Sequence, residues 1–178
     1  MPSSFSHAAV ALALAPAFWR PGAPRGVWLL GALAAAAPDL DVVGFHSGIE
    51  YGHPLGHRGF THSLAFAALF SAALARLALP RPGPSFSLAR TWLYLFLAVA
   101  SHGPLDMLTD GGLGVALFSP FTNARYFFAF RPIAVSPLGV QALFGAHGAE
   151  VLKSELLWVW APASVFAASC MLLRQTSR

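Results

Sequence analysis

Five apolar stretches, separated by polar or Pro/Gly-rich connections, dominate the pattern of this chain. They cover residues 5–19, 27–37, 60–79, 91–100 and 155–173, and the fourth can continue to Leu108. A helix needs about 20 apolar residues to cross a bilayer, so only the third and fifth stretches comfortably reach that length. The shorter ones are expected to have polar residues at one end, where water enters. We therefore predict an all-α, multi-pass transmembrane helical bundle of about five short membrane segments, forming one domain over residues 1–178.

The connections between these stretches differ in character. Residues 20–26 and 80–90 are short basic turns, whereas residues 42–59 carry Gly, His and Pro and are expected to form an ordered loop. The longest connection, residues 109–154, exceeds an ordinary linker and contains an aromatic-rich section at 118–130. We predict that this outer loop folds over the bundle as a lid or dips into the membrane interface.

Arginine positions predict the orientation of the bundle. If all five stretches cross, one side receives Arg20, Arg25, Arg76, Arg81, Arg90, Arg174 and Arg178. The other side receives Arg58, Arg125, Arg131 and Lys153, spread over much longer loops. The denser side is expected to face the cytoplasm, so the N-terminus and the loops 38–59 and 109–154 are predicted to face outward. No positive residue precedes the apolar residues 8–19, which argues against a signal peptide.

Composition supports a membrane protein. The 178 residues are 56% hydrophobic and only 10% charged, whereas soluble domains carry about 25% charged residues. The formal net charge is +4, but the basic residues are scattered, so we predict the lipid bilayer and no nucleic acid as a partner. The single cysteine, Cys170, excludes an intrachain disulfide and a thiolate zinc cluster.

Histidine and aspartate side chains gather on the predicted outer side. The candidates for metal ligands are His7, Asp39, Asp41, His57, His62, His102 and Asp106. The chain has only seven acidic residues, and three of them belong to this set, which is the reason to suspect a site instead of a charged surface. Neutral imidazole together with carboxylate suits zinc, and also manganese or iron. We therefore predict one or two divalent metal ions, most readily zinc.

The spacing of these residues leaves their roles partly open. His102 and Asp106 share a face if the backbone is helical, with a break at Gly103 and a restart at Pro104. Asp39 and Asp41 share a face if the backbone is extended; alternatively, one binds the metal and the other orients a ligand histidine. His57 and His62 are expected to converge from a loop and from the first turn of the third stretch.

Several charged residues are candidates for chemistry on a substrate. Arg58 follows His57 directly, and a guanidinium matches phosphate oxygens in bidentate fashion, so we predict a catalytic role for it on an anionic group. Arg125 and Arg131 of the long loop are candidate substrate-binding residues. Asp110 and Glu50 are the unassigned outer carboxylates near the motifs, and Asp110 is the catalytic candidate of the two.

At these residues the chain resembles the YdjM-type family. The matching motifs are Pro38-Asp39-Leu40-Asp41, the block from His57 to Ser63 (HRGFTHS) and the block from His102 to Thr109 (HGPLDMLT), with further matches at Ser6-His7, Pro120-Phe121, Arg131-Pro132-Ile133 and Ser136 to Gly139. Members are bacterial and archaeal inner-membrane proteins described as membrane-bound metal-dependent hydrolases, one of them labelled LexA-binding. The resemblance covers about residues 3–140, and the HRGxTHS block is its most specific part.

The order of the candidate ligands is also similar, more distantly, to zinc-dependent phospholipase C and the S1/P1 nucleases, which are all-α phosphodiesterases with clustered zinc ions. That resemblance implies these ligands: His7, Asp39 or Asp41, His57 or His62, His102 and Asp106. The downstream His and Glu ligands of that group have no counterpart here. What the resemblance implies is phosphoester hydrolysis, and a site at the membrane edge favours a lipid or lipid-linked substrate.

Three functions are therefore weighed. The first is a membrane metal hydrolase in a bacterial or archaeal inner membrane, with its site facing outward. The second is a non-enzymatic membrane interaction or regulatory protein with a structural metal. The third, a metal-ion transporter, needs a polar path through the membrane, and the cytoplasmic halves of the stretches lack ionisable residues.

Overall fold

The computed structural model describes residues 1–19, 23–78, 87–137 and 145–176, and every regular element in these ranges is helical. The α-helices are α1 (Ser4–Phe18), α2 (Gly26–Ala36), α3 (Leu64–Ala78), α4 (Leu88–Ala100), α5 (His102–Met107), α6 (Ala146–Glu155) and α7 (Ala161–Thr176). Two 3₁₀-helices, η1 (Ala37–Ser47) and η2 (Phe60–His62), and a π-helical turn (Leu156–Trp160) complete them. The all-α prediction is confirmed.

Two helical stretches are long and apolar enough to cross a membrane by length and composition. One is Gly26–Ser47, where α2 runs on into η1, and the other is Ala146–Thr176, where α6, the π-helical turn and α7 form one helix. The helices α1 and α3 are apolar but shorter. A membrane-associated helical fold thus agrees with the structure, while five crossings stay a prediction.

Helix α2 ends at Ala36, one residue before the predicted end of the second stretch. Pro38 lies in the first turn of η1, where its missing N–H would have no partner within the helix. One predicted boundary is wrong, because residues 146–154 belong to helix α6 instead of the long loop. This helix carries polar residues and was not recognisable as part of an apolar stretch.

The core is built largely from alanine. Helix α4 packs against α1, α2 and α3. Ala11, Ala35 and Ala98 form one buried cluster, and Ala34 and Ala67 pack with Val99 in another. Small side chains let helix backbones approach closely, which is how helices associate in lipid.

A third buried cluster contains Val27, Ala75, Leu95 and Tyr94, and Tyr94 on α4 is its largest side chain. It is fully buried, and its hydroxyl lies 3.1 Å from the carbonyl oxygen of Ala11 and 3.3 Å from that of Trp28, to which it donates. The Tyr94 ring lies against Gly31 of α2 so closely that a Cβ atom there would collide with the phenol. Gly31 is therefore required by close approach.

Replacing Gly31 with alanine is expected to lower the melting temperature, because the added methyl group overpacks the ring of Tyr94. Overpacking a closely packed core costs about 1–3 kcal/mol. Thermal unfolding of the detergent-solubilised protein measures this. Gly26→Ala is the matched control, since a Cβ at Gly26 meets no atom of the described residues within 4 Å. Equal melting temperatures for the two variants would contradict the packing described here.

Helix α7 lies at the edge of the bundle. It packs against α1, and none of its described residues is buried. At one end Trp160, just before α7, contacts Ser6 of α1; at the other, Arg174 donates to the carbonyl oxygen of Pro16. The two helices therefore run parallel, and α7 leaves a largely apolar outer face to the surroundings.

The described part of the long loop, residues 109–137, packs onto the block between residues 58 and 64. Val115 and Tyr126 exchange backbone hydrogen bonds of 2.9 and 3.0 Å. Ala116 donates its N–H to the carbonyl oxygen of Arg58 at 2.9 Å. Four phenylalanines point outward, with exposed fractions from 44 to 89%: Phe118, Phe121, Phe128 and Phe130. The inner side of the loop thus covers the block, and the outer side exposes aromatic rings.

Candidate metal centre

The alternating direction of the helices brings the candidate residues to one end of the bundle. His7 lies in the first turn of α1, Asp39 and Asp41 in η1 after α2, His57 in the following loop, His62 in η2 before α3, and His102 and Asp106 in α5 after α4. The starts of α1 and α3 and the ends of α2 and α4 therefore meet. The predicted break at Gly103 and restart at Pro104 are wrong, because α5 begins at His102 after a one-residue interruption at Ser101. Gly103 and Pro104 fit within its first turn.

Four residues bring donor atoms close together in the buried interior. Ligand atoms of Asp39, His62, His102 and Asp106 all lie within 4.8 Å of one another, and all four residues are buried. Nε2 of His102 is 3.2 Å from Oδ1 of Asp39, and Nε2 of His62 is 3.5 Å from that oxygen and 3.5 Å from Oδ2 of Asp106. Ligands around tetrahedral zinc are separated by about 3.4 Å, so this group could hold a metal ion.

Several polar atoms of this centre lack hydrogen-bond partners within the described part of the chain. Oδ2 of Asp39, Nε2 of His62, both carboxylate oxygens of Asp106 and both ring nitrogens of His7 are buried without a hydrogen bond in the described structure. Buried polar atoms are normally paired, because leaving one unsatisfied costs about 1–3 kcal/mol and more for a charged group. A cation among these atoms satisfies several of them at once. The donor set therefore fits a divalent ion.

Hydrogen bonds on the far sides of two rings direct the nitrogens inward. Nδ1 of His102 donates to the carbonyl oxygen of Ala35 at 2.7 Å. Nδ1 of His62 forms a hydrogen bond of 3.1 Å with the hydroxyl oxygen of Thr61 and lies 3.2 Å from Oδ2 of Asp41. A proton held on Nδ1 leaves the lone pair on Nε2, which is the arrangement found in metal sites with a supporting carboxylate or carbonyl.

Asp41 supports a second group with His57 and His62. Oδ1 of Asp41 is 2.6 Å from Nδ1 of His57, and Oδ2 accepts a hydrogen bond from the Thr61 hydroxyl at 2.6 Å. Thr61 was missed by the sequence reasoning, although its place beside His62 in the HRGFTHS block was a signal. Asp41 therefore holds His57 and His62 together.

Asp39 and Asp41 face different groups, because their backbone is 3₁₀-helical. Three residues make one 3₁₀ turn, so positions two apart do not share a face. The extended geometry considered from the sequence is wrong. Asp39 joins the buried group with His102, and Asp41 stands behind the imidazoles.

His7 joins the buried group through its ring. The ring stacks on His102 with 3.6 Å between centroids and an angle of 8° between planes. Nε2 of His7 lies 3.6 Å from Oδ1 of Asp106, and both side chains are fully buried. His7 is thus placed beside the donor atoms of the first group.

Carboxylates dominate the electrostatics of the centre. Burial disfavours the charged form of His62, but pairing with Asp39 and Asp41 and the charge of Asp106 outweigh burial and raise the pKa of His62 to about 9. The site therefore attracts positive charge.

Arg58 is fully buried beside the centre. Its Nε lies 2.9 Å from Oδ2 of Asp106, an ion pair outside hydrogen-bond geometry, and its other nitrogens donate to the carbonyl oxygens of Gly111 and Leu113 and to the Thr109 hydroxyl at 2.9–3.0 Å. The backbone φ of Arg58 is 61°, which is unusual for a residue other than glycine. Arg58 thus ties the long loop to Asp106, and its predicted contact with substrate stays a prediction.

The other predicted residues lie in the loops around the centre. Arg125 donates to the carbonyl oxygens of His57, Gly114, Tyr51 and His53 at 3.0–3.3 Å. Arg131 is exposed, with its guanidinium 4.9 Å from the ring centroid of Phe127. Asp110 is exposed and accepts a hydrogen bond from the N–H of Val135 at 2.8 Å. Their roles in substrate binding and catalysis stay predictions.

A cavity of about 170 Å³ adjoins the second group. It is lined by Met1, Tyr51, His57, Gly112, Val135 and Ser136. With Nδ1 of His57 engaged by Asp41, Nε2 is the nitrogen available to this cavity. The cavity is a small chamber between the long loop and the histidine.

Comparisons with known proteins agree with the motifs. The family described as YdjM inner membrane protein matches residues 1–176. The inner membrane protein YbcI of Escherichia coli (strain K12) is 38% identical over 162 residues, which cover 91% of this chain and 92% of that protein. No solved structure matches the chain.

Proposed function

This chain belongs to the YdjM family of inner membrane proteins, and on that premise we propose that it is a membrane-bound metal-dependent hydrolase. Its substrate is a phosphoester of a lipid or lipid-linked molecule. Its site faces outward, at the end of the bundle opposite Arg25, Arg76, Arg90 and Arg174, which end or begin their helices on the other side.

One observation carries the proposal: buried donor atoms without hydrogen bonds converge from four helix ends. The proposed metal ligands are Asp39, His62, His102 and Asp106. His7 is a fifth candidate. Mixed imidazole and carboxylate donors suit zinc, with manganese or iron as alternatives. A divalent ion supplies Lewis acidity, which polarises a phosphoryl oxygen and acidifies water.

The second group supplies the proton acceptor. His57 is oriented by Asp41 at 2.6 Å and borders the cavity, as a histidine supported by an aspartate does in general-base catalysis. Within this proposal, Nε2 of His57 takes the proton of the attacking water. His57 then acts as base instead of metal ligand.

The surroundings favour an amphipathic substrate. The long loop exposes phenylalanines beside Arg131, so a lipid's apolar part and its phosphate would meet matching groups at the rim. Arg58 neutralises the charge of Asp106 from behind, and Arg125 holds the cavity wall. Arg131 is the exposed cation of the long loop that would meet an approaching anionic headgroup.

A structural metal in a non-enzymatic membrane protein is the second candidate. It is favoured by the complete burial of His7, His62, His102 and Asp106, since structural sites are closed and catalytic sites keep an open position. The cavity beside His57 is the feature that favours catalysis. The two functions differ in whether phosphoester hydrolysis accompanies metal binding.

Removing the metal is expected to lower the melting temperature of the purified protein. A ligand that binds only the folded state stabilises it by about 2.7 kcal/mol at a concentration 100 times its Kd. Metal content is measured by mass spectrometry before and after chelation, and thermal unfolding is followed in both states. Zinc, manganese and iron are then added back separately, with magnesium as the control that prefers oxygen ligands.

The same preparations are assayed on phospholipids and on a soluble phosphodiester. Metal-dependent release of a phosphate-containing product supports the hydrolase. A stoichiometric metal with no hydrolysis of any substrate supports the structural role. Protein without bound metal, and with no change on adding any of the three ions, would refute both.

A further inference from the structure

Glu155 is a buried carboxylate outside the metal centre. It ends helix α6, is 1% exposed, and accepts three hydrogen bonds from the start of α1. These come from the N–H of Ser3 at 2.5 Å, the Ser3 hydroxyl at 2.6 Å and the Ser6 hydroxyl at 2.7 Å. Ser6 in turn accepts a hydrogen bond from the indole of Trp160 at 2.7 Å. Glu155 and Trp160 thus hold the first turn of α1 through Ser3 and Ser6, and we call this set of contacts the clasp.

The clasp has a favourable electrostatic setting. The N-terminus of a helix carries partial positive charge and free N–H groups, and a carboxylate there is stabilised. Ser3 is the N-cap residue of α1, but its side chain does not cap the helix, because its hydroxyl donates to Glu155. Glu155 therefore takes over the capping role from another helix.

The π-helical turn explains how one helix contributes two residues to the clasp. In an α-helix, residues five apart point about 140° away from each other. From Leu156 to Trp160 the turn is π-helical, and the N–H of Ala161 donates to the carbonyl oxygen of Leu156, five residues back. Such a turn brings residues five apart to the same side. Glu155 and Trp160 consequently both reach Ser6.

The clasp ends one residue before His7. Unlike His62 and His102, His7 has no hydrogen bond on either ring nitrogen among the described residues, so none of them fixes the ring in that way. Its position between His102 and Asp106 depends on where the first turn of α1 lies. That turn is held to the C-terminal helix by Glu155, through Ser3 and Ser6.

We propose that Glu155 is a positioning residue for the metal centre: through Ser3 and Ser6 it sets the place of His7 beside Asp106. This inference rests on the metal site of the proposed function. It makes the long C-terminal helix part of the site, although that helix contributes no metal ligand. The sequence carried one signal for it, an acidic residue at the start of an apolar stretch in an acid-poor chain.

Zinc affinity of the purified full-length protein, measured by competition with a chromophoric chelator, tests the proposal. Glu155→Ala is expected to weaken zinc binding about 10- to 100-fold, the range seen when supporting residues of metal sites are removed. Ser6→Ala loses the contacts to both Glu155 and Trp160 and is also expected to weaken zinc binding. It replaces Glu155→Ala in the test if that variant does not fold. Glu150→Gln is the matched control, because Glu150 is an exposed acid on the same helix with a side chain 76% exposed.

A double-mutant cycle separates positioning from general stability. If Glu155 acts through His7, Glu155→Ala changes zinc affinity less than about twofold when His7 is already alanine, while its effect on the melting temperature persists. Equal weakening in both backgrounds, or an unchanged affinity in Glu155→Ala and Ser6→Ala, would overturn the inference and leave the metal site standing. A wild-type protein that binds no zinc, manganese or iron overturns the metal site and this inference together.

Discussion

Asp106→Asn is expected to release the metal and to destabilise the protein even without metal. Asp106 contributes two of the buried oxygens that lack hydrogen bonds, so its amide analogue removes charge and donor capacity from the ion. It also leaves the fully buried Arg58 without the carboxylate at 2.9 Å. Breaking a buried ion pair by removing one partner costs about 3–5 kcal/mol. Metal analysis and thermal unfolding after chelation measure the two effects separately.

Asp110→Asn is the matched control for this variant. Asp110 follows Asp106 by four residues and is exposed, with one hydrogen bond from the N–H of Val135. We expect Asp110→Asn to keep its metal and to lose little stability. An Asp106→Asn protein with wild-type metal content would show that the ion is held elsewhere. If Asp106→Asn loses its metal but its metal-free form is as stable as that of the wild type, the ion pair between Arg58 and Asp106 does not stabilise the fold.

The meeting of the ligands could be predicted because it follows from helix direction alone. Successive membrane segments alternate in direction, so residues at the start of one and the end of the next arrive at the same end. The sequence places His7, Asp39, His62 and His102 at such ends, and the structure brings them together. The helical spacing of His102 and Asp106 likewise needs only local geometry.

The different positions of Asp39 and Asp41 relative to the histidines could not be predicted from the sequence. It depends on the backbone continuing past Pro38 as a 3₁₀-helix instead of becoming extended. Both conformations are open to a proline in the first turn of a new element, and tertiary contacts decide between them. The sequence therefore left both roles open, and the geometry associates Asp39 with the buried group.

The arginines illustrate a second limit of sequence reasoning. Next to a metal motif, an arginine is expected to meet an anionic substrate. In the structure, Arg58 and Arg125 also donate to backbone carbonyls of the loops around the site, and their contact with a substrate stays a prediction. Long side chains reach partners far along the chain, and their partners are fixed only by the folded loops. Arg131, which is exposed, is the cation whose surroundings still match the sequence-based expectation.

His57→Ala is expected to separate catalysis from metal binding. If His57 is the general base, the variant loses about 100- to 10,000-fold in the rate of phosphoester hydrolysis, the usual contribution of general-base catalysis, and keeps its metal. His102→Ala is expected to lose both, because its Nε2 faces the carboxylate of Asp39 at 3.2 Å. Hydrolysis rates and metal content, measured on the same preparations, give the two numbers for each variant.

His53→Ala is the matched control for His57→Ala, since His53 lies four residues earlier in the same loop and is exposed. Among the described residues, its side chain accepts a hydrogen bond from the nearby N–H of Leu55 alone, so both rate and metal content are expected to stay at wild-type levels. A His57→Ala protein that loses the metal would make His57 a ligand, as the sequence alone allowed. A His57→Ala protein that keeps its metal and its full activity would show that another group is the general base. The 2.6 Å contact with Asp41 would then serve only to hold the loop against His62.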